Sequence, residues 1–99
     1  MSDYAETLRK HRRLAILRHL EAVPDYTGNA SILQSVLAGL GLSTQRDQIV
    51  TDLVWLQDNG FVRLASHGDF TIVTATQSGV EIARGIATHP GIQRPGPRR

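Results

Sequence analysis

Residues 39–64, with the sequence GLGLSTQRDQIVTDLVWLQDNGFVRL, predict two helices joined by a short turn and followed by a strand. Gly39 and Gly41 are expected to end the first of these two helices, which is the second helix of the chain, because glycine readily takes the left-handed conformation found at helix C-termini. Ser43 is expected to begin the next helix by accepting a hydrogen bond from a free backbone N–H. Gly60 ends that helix just before a β-forming run. A turn this short makes the two helices cross steeply.

A further helix is predicted ahead of this stretch. Asp3 followed by Glu6 fits an N-terminal capping arrangement, and the helix is expected to run over residues 4–23, where a proline stops it. Residues 25–29 are predicted to be a loop, with a turn at Gly28-Asn29.

A hairpin and a last helix are predicted after it. Residues 61–66 and 70–75 are rich in β-formers, and three residues that include Gly68 separate them. Thr76 is expected to cap a helix that ends at Gly85. Helix, tight turn, helix, hairpin and helix is the order of a winged helix-turn-helix. The predicted fold class is therefore mainly α with a small β-hairpin.

The chain is short enough to be one domain with one modest core. We assign residues 1–85 to the winged helix-turn-helix domain. Residues 86–99 contain five proline or glycine residues that preclude regular structure, at positions 90, 91, 95, 96 and 97, together with three arginines, and are predicted to be a basic Pro/Gly-rich tail. Apolar residues at helical or strand spacing give the predicted core: Ile16, Leu20, Leu33, Val36, Leu37, Leu40, Ile49, Leu53, Leu56 and Val62.

Composition excludes several classes of protein. The chain has no cysteine, so disulfides and thiolate metal sites are excluded. It has no apolar run long enough to cross a bilayer and does not open with a charged-then-apolar leader, so we expect a cytoplasmic protein without membrane contact. The four histidines lack the spacing of a helical zinc site, and no glycine-rich phosphate loop follows a strand. We expect no catalytic residue, no metal and no cofactor, and thus not an enzyme.

Charge is distributed unevenly along the chain. The net charge is +2 over residues 1–23, −3 over residues 24–60 and +3 over residues 86–99. The basic ends suit a polyanion, whereas the acidic middle contains the helix that would read DNA.

Two groups of side chains are candidates for nucleic-acid binding. The first is the basic cluster on the first helix, formed by Arg9, Lys10, Arg12 and Arg13. It is expected to contact phosphate together with the basic tail. The second lies at the start of the third helix, where glutamine suits adenine edges and arginine suits guanine or phosphate. Asp47, Asp52 and Asp58 on the same helix repel phosphate and count against DNA. The candidates are Arg9, Lys10, Arg12, Arg13, Ser43, Thr44, Gln45, Arg46 and Gln48.

A partner interface is predicted from two apolar features that face away from the core stripes. Tyr4 and Leu8 form a second stripe on the first helix, which either contacts a partner or belongs to frayed turns that pack on a loop. Trp55 points away from the core stripe of the third helix. It is either an interface anchor or is covered by the first helix or the tail. A homodimer, or failing that another docked protein, is the expected partner.

Several local patterns resemble known proteins. IVTDLVWLQDNGFVRL is similar to the reading helix and first wing strand of bacterial winged-helix regulators, and TATQSGVEIARG looks like their threonine-capped helix after the wing. The pieces RRLAILRHLEAVPDYTGNASILQ, TDLVWLQDNGFV and ARGIATHPGIQRP resemble a family of small proteins from the late-gene region of Mu-like transposable phages and prophages. That resemblance implies a phage context and the winged-helix fold, and it transfers no binding or catalytic residue.

Two functions follow as hypotheses. The first is a winged-helix protein that binds duplex DNA, as a small regulator of transcription or an accessory factor in phage DNA handling. The alternative is a winged-helix protein-interaction module that does not bind DNA. The basic ends favour the first hypothesis, and the acidic third helix favours the second.

Overall fold

The computed structural model describes residues 3–96, which form four helices and a three-stranded antiparallel sheet. A single 3₁₀ turn over Pro24–Tyr26 follows the first helix. The elements are α1 Asp3–Ala22, β1 Thr27–Asn29, α2 Ala30–Gly39, α3 Arg46–Asp58, β2 Val62–His67, β3 Phe70–Ala75 and α4 Gln77–Arg84.

The first strand replaces a predicted turn. Residues 27–29 were expected to be loop, but they pair with β3, with Gly28 opposite Val73. The chain reverses just before β1, at the 3₁₀ turn. Asn29 ends the strand and caps α2, because its Oδ1 accepts a hydrogen bond of 2.8 Å from the Ile32 N–H. The residue that predicted a turn is therefore a helix cap, and the sheet has the order β1-β3-β2.

The turn between α2 and α3 is longer than predicted. Gly41 has the expected positive φ of 77°, but α3 begins only at Arg46. Ser43 is not its cap, because Gln45 precedes the helix and makes no side-chain cap bond. Thr44 instead stabilises the turn through its Oγ1, which donates to the Leu42 carbonyl at 2.6 Å.

The hairpin and α4 closely match their prediction. β2 and β3 pair antiparallel from Val62 opposite Ala75 to His67 opposite Phe70, so β2 is displaced by one residue from the predicted 61–66. Thr76 accepts a hydrogen bond from the Gly79 N–H through Oγ1, and Gly85 ends α4 in the left-handed region.

The core lies between the helices and one face of the sheet. Eight of the ten predicted core residues are fully buried. Leu40 is wrong: α2 ends one residue before it, and its side chain is 60% exposed. Val36, on the outer edge of the α2 stripe, is only half-buried. The core also contains Leu14, Leu17, Ala30, Phe61, Val73, Ala75, Val80, Ile82, Ala83 and Ile92.

Residues 86–96 carry no helix or strand, as predicted, but they pack against the domain. Ile92 is 3% exposed, the Gln93 N–H donates to the Lys10 carbonyl at 3.2 Å, and the Gly91 carbonyl accepts from Arg13. Ile92 is therefore a part of the core, and hydrogen bonds to its neighbours' backbone hold the segment around it against α1. Arg98 and Arg99 lie outside the described residues.

We expect Ile92→Ala to lower the free energy of unfolding by about 2 kcal/mol, the low end for a buried isoleucine, because the irregular segment can relax around the cavity. Urea unfolding followed by Trp55 fluorescence measures it. Ile86, which is 70% exposed on the same segment, gives the control Ile86→Ala with little change. Equal effects of the two substitutions would contradict the packing of this segment.

Candidate interaction surfaces

Two of the predicted phosphate-binding arginines contact a buried carboxylate. Arg12 Nε donates to Asp52 Oδ2 at 2.7 Å, and Arg13 Nε lies 3.5 Å from Asp52 Oδ1. The Asp52 side chain is 1% exposed, and the two arginine side chains are 12% and 8% exposed. This cluster joins α1 to α3 and leaves neither guanidinium open to a phosphate.

Burial has a measurable electrostatic consequence for Arg13. Desolvation lowers the pKa of its guanidinium from the ordinary value, and the neighbouring Asp52 carboxylate opposes that shift. An arginine nevertheless stays protonated at any pH at which a protein is folded. The Arg13 guanidinium therefore keeps its charge in spite of its burial.

Trp55 is covered by its own chain. The Arg13 guanidinium lies 3.8 Å from the centre of the indole ring, and the His89 ring meets the indole edge-on at 5.2 Å. The Gly91 backbone packs so close that a Cβ there would lie 2.6 Å from the indole. Of the two alternatives for Trp55, the contacts with the first helix and the C-terminal segment favour coverage by its own chain, which leaves the side chain half-buried.

The outward face of α3 is apolar and acidic. Helical spacing places Asp47, Thr51, Val54 and Asp58 along the line opposite the buried stripe, with Val50 beside it. All five are exposed, including Val50 at 40% and Val54 at 43%. Asp52, which counted against DNA in the sequence, is not on this face, but Asp47 and Asp58 are.

The other predicted DNA-reading residues lie at the start of α3, on its flanks or in the preceding turn. Ser43, Gln45 and Gln48 are exposed, whereas the Thr44 hydroxyl is already bonded within the turn. Arg46 is exposed and donates to Ser31 Oγ at 3.2 Å. The start of α3 thus offers neutral donors and acceptors and one cation.

The remaining predicted residues on α1 lie on different sides of the helix and are exposed or half-buried. Arg9 pairs with Glu6 at 2.6 Å, and Lys10 is half-buried beside the C-terminal segment. Tyr4 is 75% exposed and Leu8 is half-buried. The predicted phosphate cluster is therefore divided between a surface pair, a single lysine and the buried ion cluster.

A groove of about 460 Å³ runs between α1 and the C-terminal end of α2. Its floor is apolar and includes the exposed Leu40, and its polar side chains are basic or imidazole. A smaller groove of about 200 Å³ adjoins it, shares Leu42 and is lined in part by Tyr4 and Leu8. The larger groove is lined by His11, Leu14, Ala15, Arg18, His19, Val36, Leu40 and Leu42.

The sequence alone missed the ion cluster, although it contained one indication of it. Asp52 falls on the same helical stripe as Ile49, Leu53 and Leu56, where a carboxylate must be paired if it is to be buried. Spacing could not identify the arginine partners of Asp52, nor the contacts that His89 and Gly91 make with Trp55, because the contacting residues come from distant parts of the chain.

Residues 3–96 contain neither a cluster of metal ligands nor a helix that could span a membrane. No three histidine or acidic side chains there are grouped as metal ligands. None of the helices in that range combines the length and the apolar character needed to cross a bilayer.

Comparison with known proteins identifies a relative. The uncharacterized protein gp26 of Escherichia phage Mu is 36% identical over 93 residues, which cover 94% of this chain and 96% of gp26. No family profile and no solved structure matches the chain. The match runs over α1, the ion cluster, α3 and the C-terminal segment, as the predicted resemblance to small proteins of Mu-like phages did. The chain belongs to the family of the phage Mu gp26 protein.

Proposed function

We propose that this phage-family protein is a winged helix-turn-helix module that binds another protein through α3. The fold assignment is supported by the order of the elements, in which the helix pair α2 and α3 is followed by the β2–β3 hairpin and α4. The added strand β1, hydrogen-bonded to β3, extends the hairpin into a small sheet beside the helices. In this arrangement α3 is the helix that winged-helix proteins present to a partner.

The outward face of α3 carries the functional proposal. A helix that enters a DNA groove faces phosphates on both sides, and aspartates there are repelled. Asp47 and Asp58 lie on the midline of this face, with exposed Val54 between them. Exposed apolar side chains with a charged rim are typical of protein interfaces. The complementary partner is an apolar surface with basic side chains around it.

The ion cluster supports the same proposal. Arg12 and Arg13 are the centre of the basic run in the sequence, but both are turned toward Asp52. Because both side chains are largely buried against Asp52, little of either guanidinium is available to bind phosphate. The positive charge that remains on the described surface is dispersed rather than collected beside α3.

DNA binding is the second candidate, and one observation favours it. Gln45, Arg46 and Gln48 are exposed in the first turn of α3, where reading helices contact base edges. Lys10, Arg63 and Arg94 add scattered positive charge. If DNA is bound, the neutral glutamines and the single arginine have to provide the readout.

A salt titration of binding to random duplex DNA separates the candidates. We expect no binding tighter than the roughly 10⁻⁶ M typical of non-specific contacts, because few cations are available to displace counterions. We also expect Arg46→Ala and Gln48→Ala to leave that weak binding nearly unchanged. Fluorescence anisotropy of a labelled duplex at low and physiological salt gives both results.

The control is Gln77→Ala, an exposed glutamine on α4 far from the first turn of α3 in sequence. Tight binding that is lost in Arg46→Ala and Gln48→Ala but kept in Gln77→Ala would overturn the protein-binding proposal. It would establish α3 as a reading helix.

A further inference from the structure

We propose that the partner of the α3 face is a second copy of this chain, which receives it in the groove between α1 and α2. This inference rests on the protein-binding function proposed above and names the partner. It is carried by two surfaces of one molecule that are opposite in charge and alike in their apolar content.

The α3 face is the projecting partner of the pair. Val50 and Val54 are one helical turn apart, about 6 Å, and both are exposed. Asp47 and Asp58 lie at the two ends of the face. The face therefore offers an apolar centre with a carboxylate on each side.

The groove has the opposite character. Its floor includes Leu40, which is 60% exposed, with Leu42 and Val36. Its polar side chains are Arg18 and two histidines, with no acidic side chain among them. His11, Arg18 and His19 spread over about 12 Å of α1, enough to flank two valines one turn apart.

Charge determines how two copies meet. A symmetric contact of groove with groove places Arg18 against Arg18, and a contact of α3 with α3 places aspartate against aspartate. Like charges in an interface are strongly unfavourable, whereas the α3 face in the groove joins unlike charges. The α3 face of one copy therefore meets the groove of another. Two such contacts formed reciprocally about a two-fold axis close a dimer, whereas a single head-to-tail contact continues into a ring or an open chain.

Sedimentation of the full chain over a wide range of concentrations tests the proposal. We expect reversible association, into a dimer or a larger species, that weakens as salt is raised, because exposed charges are screened. Arg18→Glu in the groove and Asp58→Arg on the face are each expected to weaken association by at least about tenfold. Both residues are exposed, so the variants should keep the folded near-ultraviolet signal of Trp55.

The decisive arm is the mixture of the two variants. In the equimolar mixture, the groove of the Arg18→Glu variant can receive the α3 face of the Asp58→Arg variant, because their charges are again opposite. The other two surfaces, the groove of Asp58→Arg and the face of Arg18→Glu, are both wild-type and also fit. The mixture should therefore recover association. Arg63→Glu and Asp69→Arg make the same charge changes on the exposed hairpin and should leave association unchanged. Recovery in the mixture with silent hairpin controls supports the proposal.

A monomer at all concentrations would overturn it, as would a mixture that fails to recover. Association that survives both variants but is lost in Tyr4→Ala would place the contact on the α1 stripe instead and would also overturn it. The DNA titration is a separate measurement. A monomer that ignores DNA contradicts only the choice of partner, whereas tight α3-dependent DNA binding contradicts the proposed function.

Discussion

Replacing Asp52 with asparagine will lower the free energy of unfolding by about 3–5 kcal/mol, the range for breaking a buried ion pair from one side. Asparagine keeps the shape of the side chain but removes the charge that Arg12 and Arg13 share. Both guanidinium groups would then stay largely withdrawn from water without a carboxylate. Denaturant unfolding of the variant and the wild type gives the difference directly.

Asp58→Asn is the matched control for this prediction. It makes the same chemical change on the same helix at an exposed position, and we expect an effect within about 0.5 kcal/mol. If Asp52→Asn were as mild as the control, the cluster would not hold α1 against α3. The prediction also reassigns Arg12 and Arg13, whose loss should unfold the protein more readily and should not act mainly through DNA.

Replacing Gly79 with alanine is expected to cost about 3 kcal/mol or more, at or above the upper end for an overpacked core. A Cβ at this position would lie 2.1 Å from the Phe61 carbonyl oxygen, which is backbone. A backbone atom cannot rotate away as a side chain does, so α4 would have to move away from the backbone just before β2. The Thr76 cap bond to the Gly79 N–H would be strained by the same movement.

Gly39→Ala is the control for this second prediction. Gly39 is also helical, but nothing lies within 4 Å of its added Cβ. Because alanine is the better helix former, this variant should be unchanged or more stable by up to about 1 kcal/mol. Thermal unfolding of the two variants gives both shifts, and a loss in Gly39→Ala as large as that in Gly79→Ala would contradict the packing argument.

The interaction surfaces follow from a simple division of α3. Its buried stripe contains Asp52, and its outward face contains Asp47 and Asp58. In the sequence these three aspartates had counted equally against DNA. Only burial distinguishes Asp52, which pairs with two arginines, from the two aspartates that face outward.

The sequence by itself determined the elements whose causes are local. The helical stripes of α1, α2 and α3, the β2–β3 hairpin and the α4 cap at Thr76 all depend on residues within a few positions of one another. Propensity, periodicity and capping act over that range, so the order of elements and eight of the ten predicted core residues could be predicted.

Only the tertiary structure decided contacts between distant segments. Arg12 meets Asp52 across 40 positions and Arg13 meets Gly91 across 78, and neither pairing leaves a trace in local spacing. The same is true of β1, which takes its strand conformation from pairing with β3. Whether a charged side chain lies on the surface or in a buried ion pair depends on which segment packs against it, and therefore on the whole chain. For this reason the sequence predicted a DNA-binding cluster where the structure has an ion cluster, and the groove at Leu40 appeared only once α2 was seen to end at Gly39.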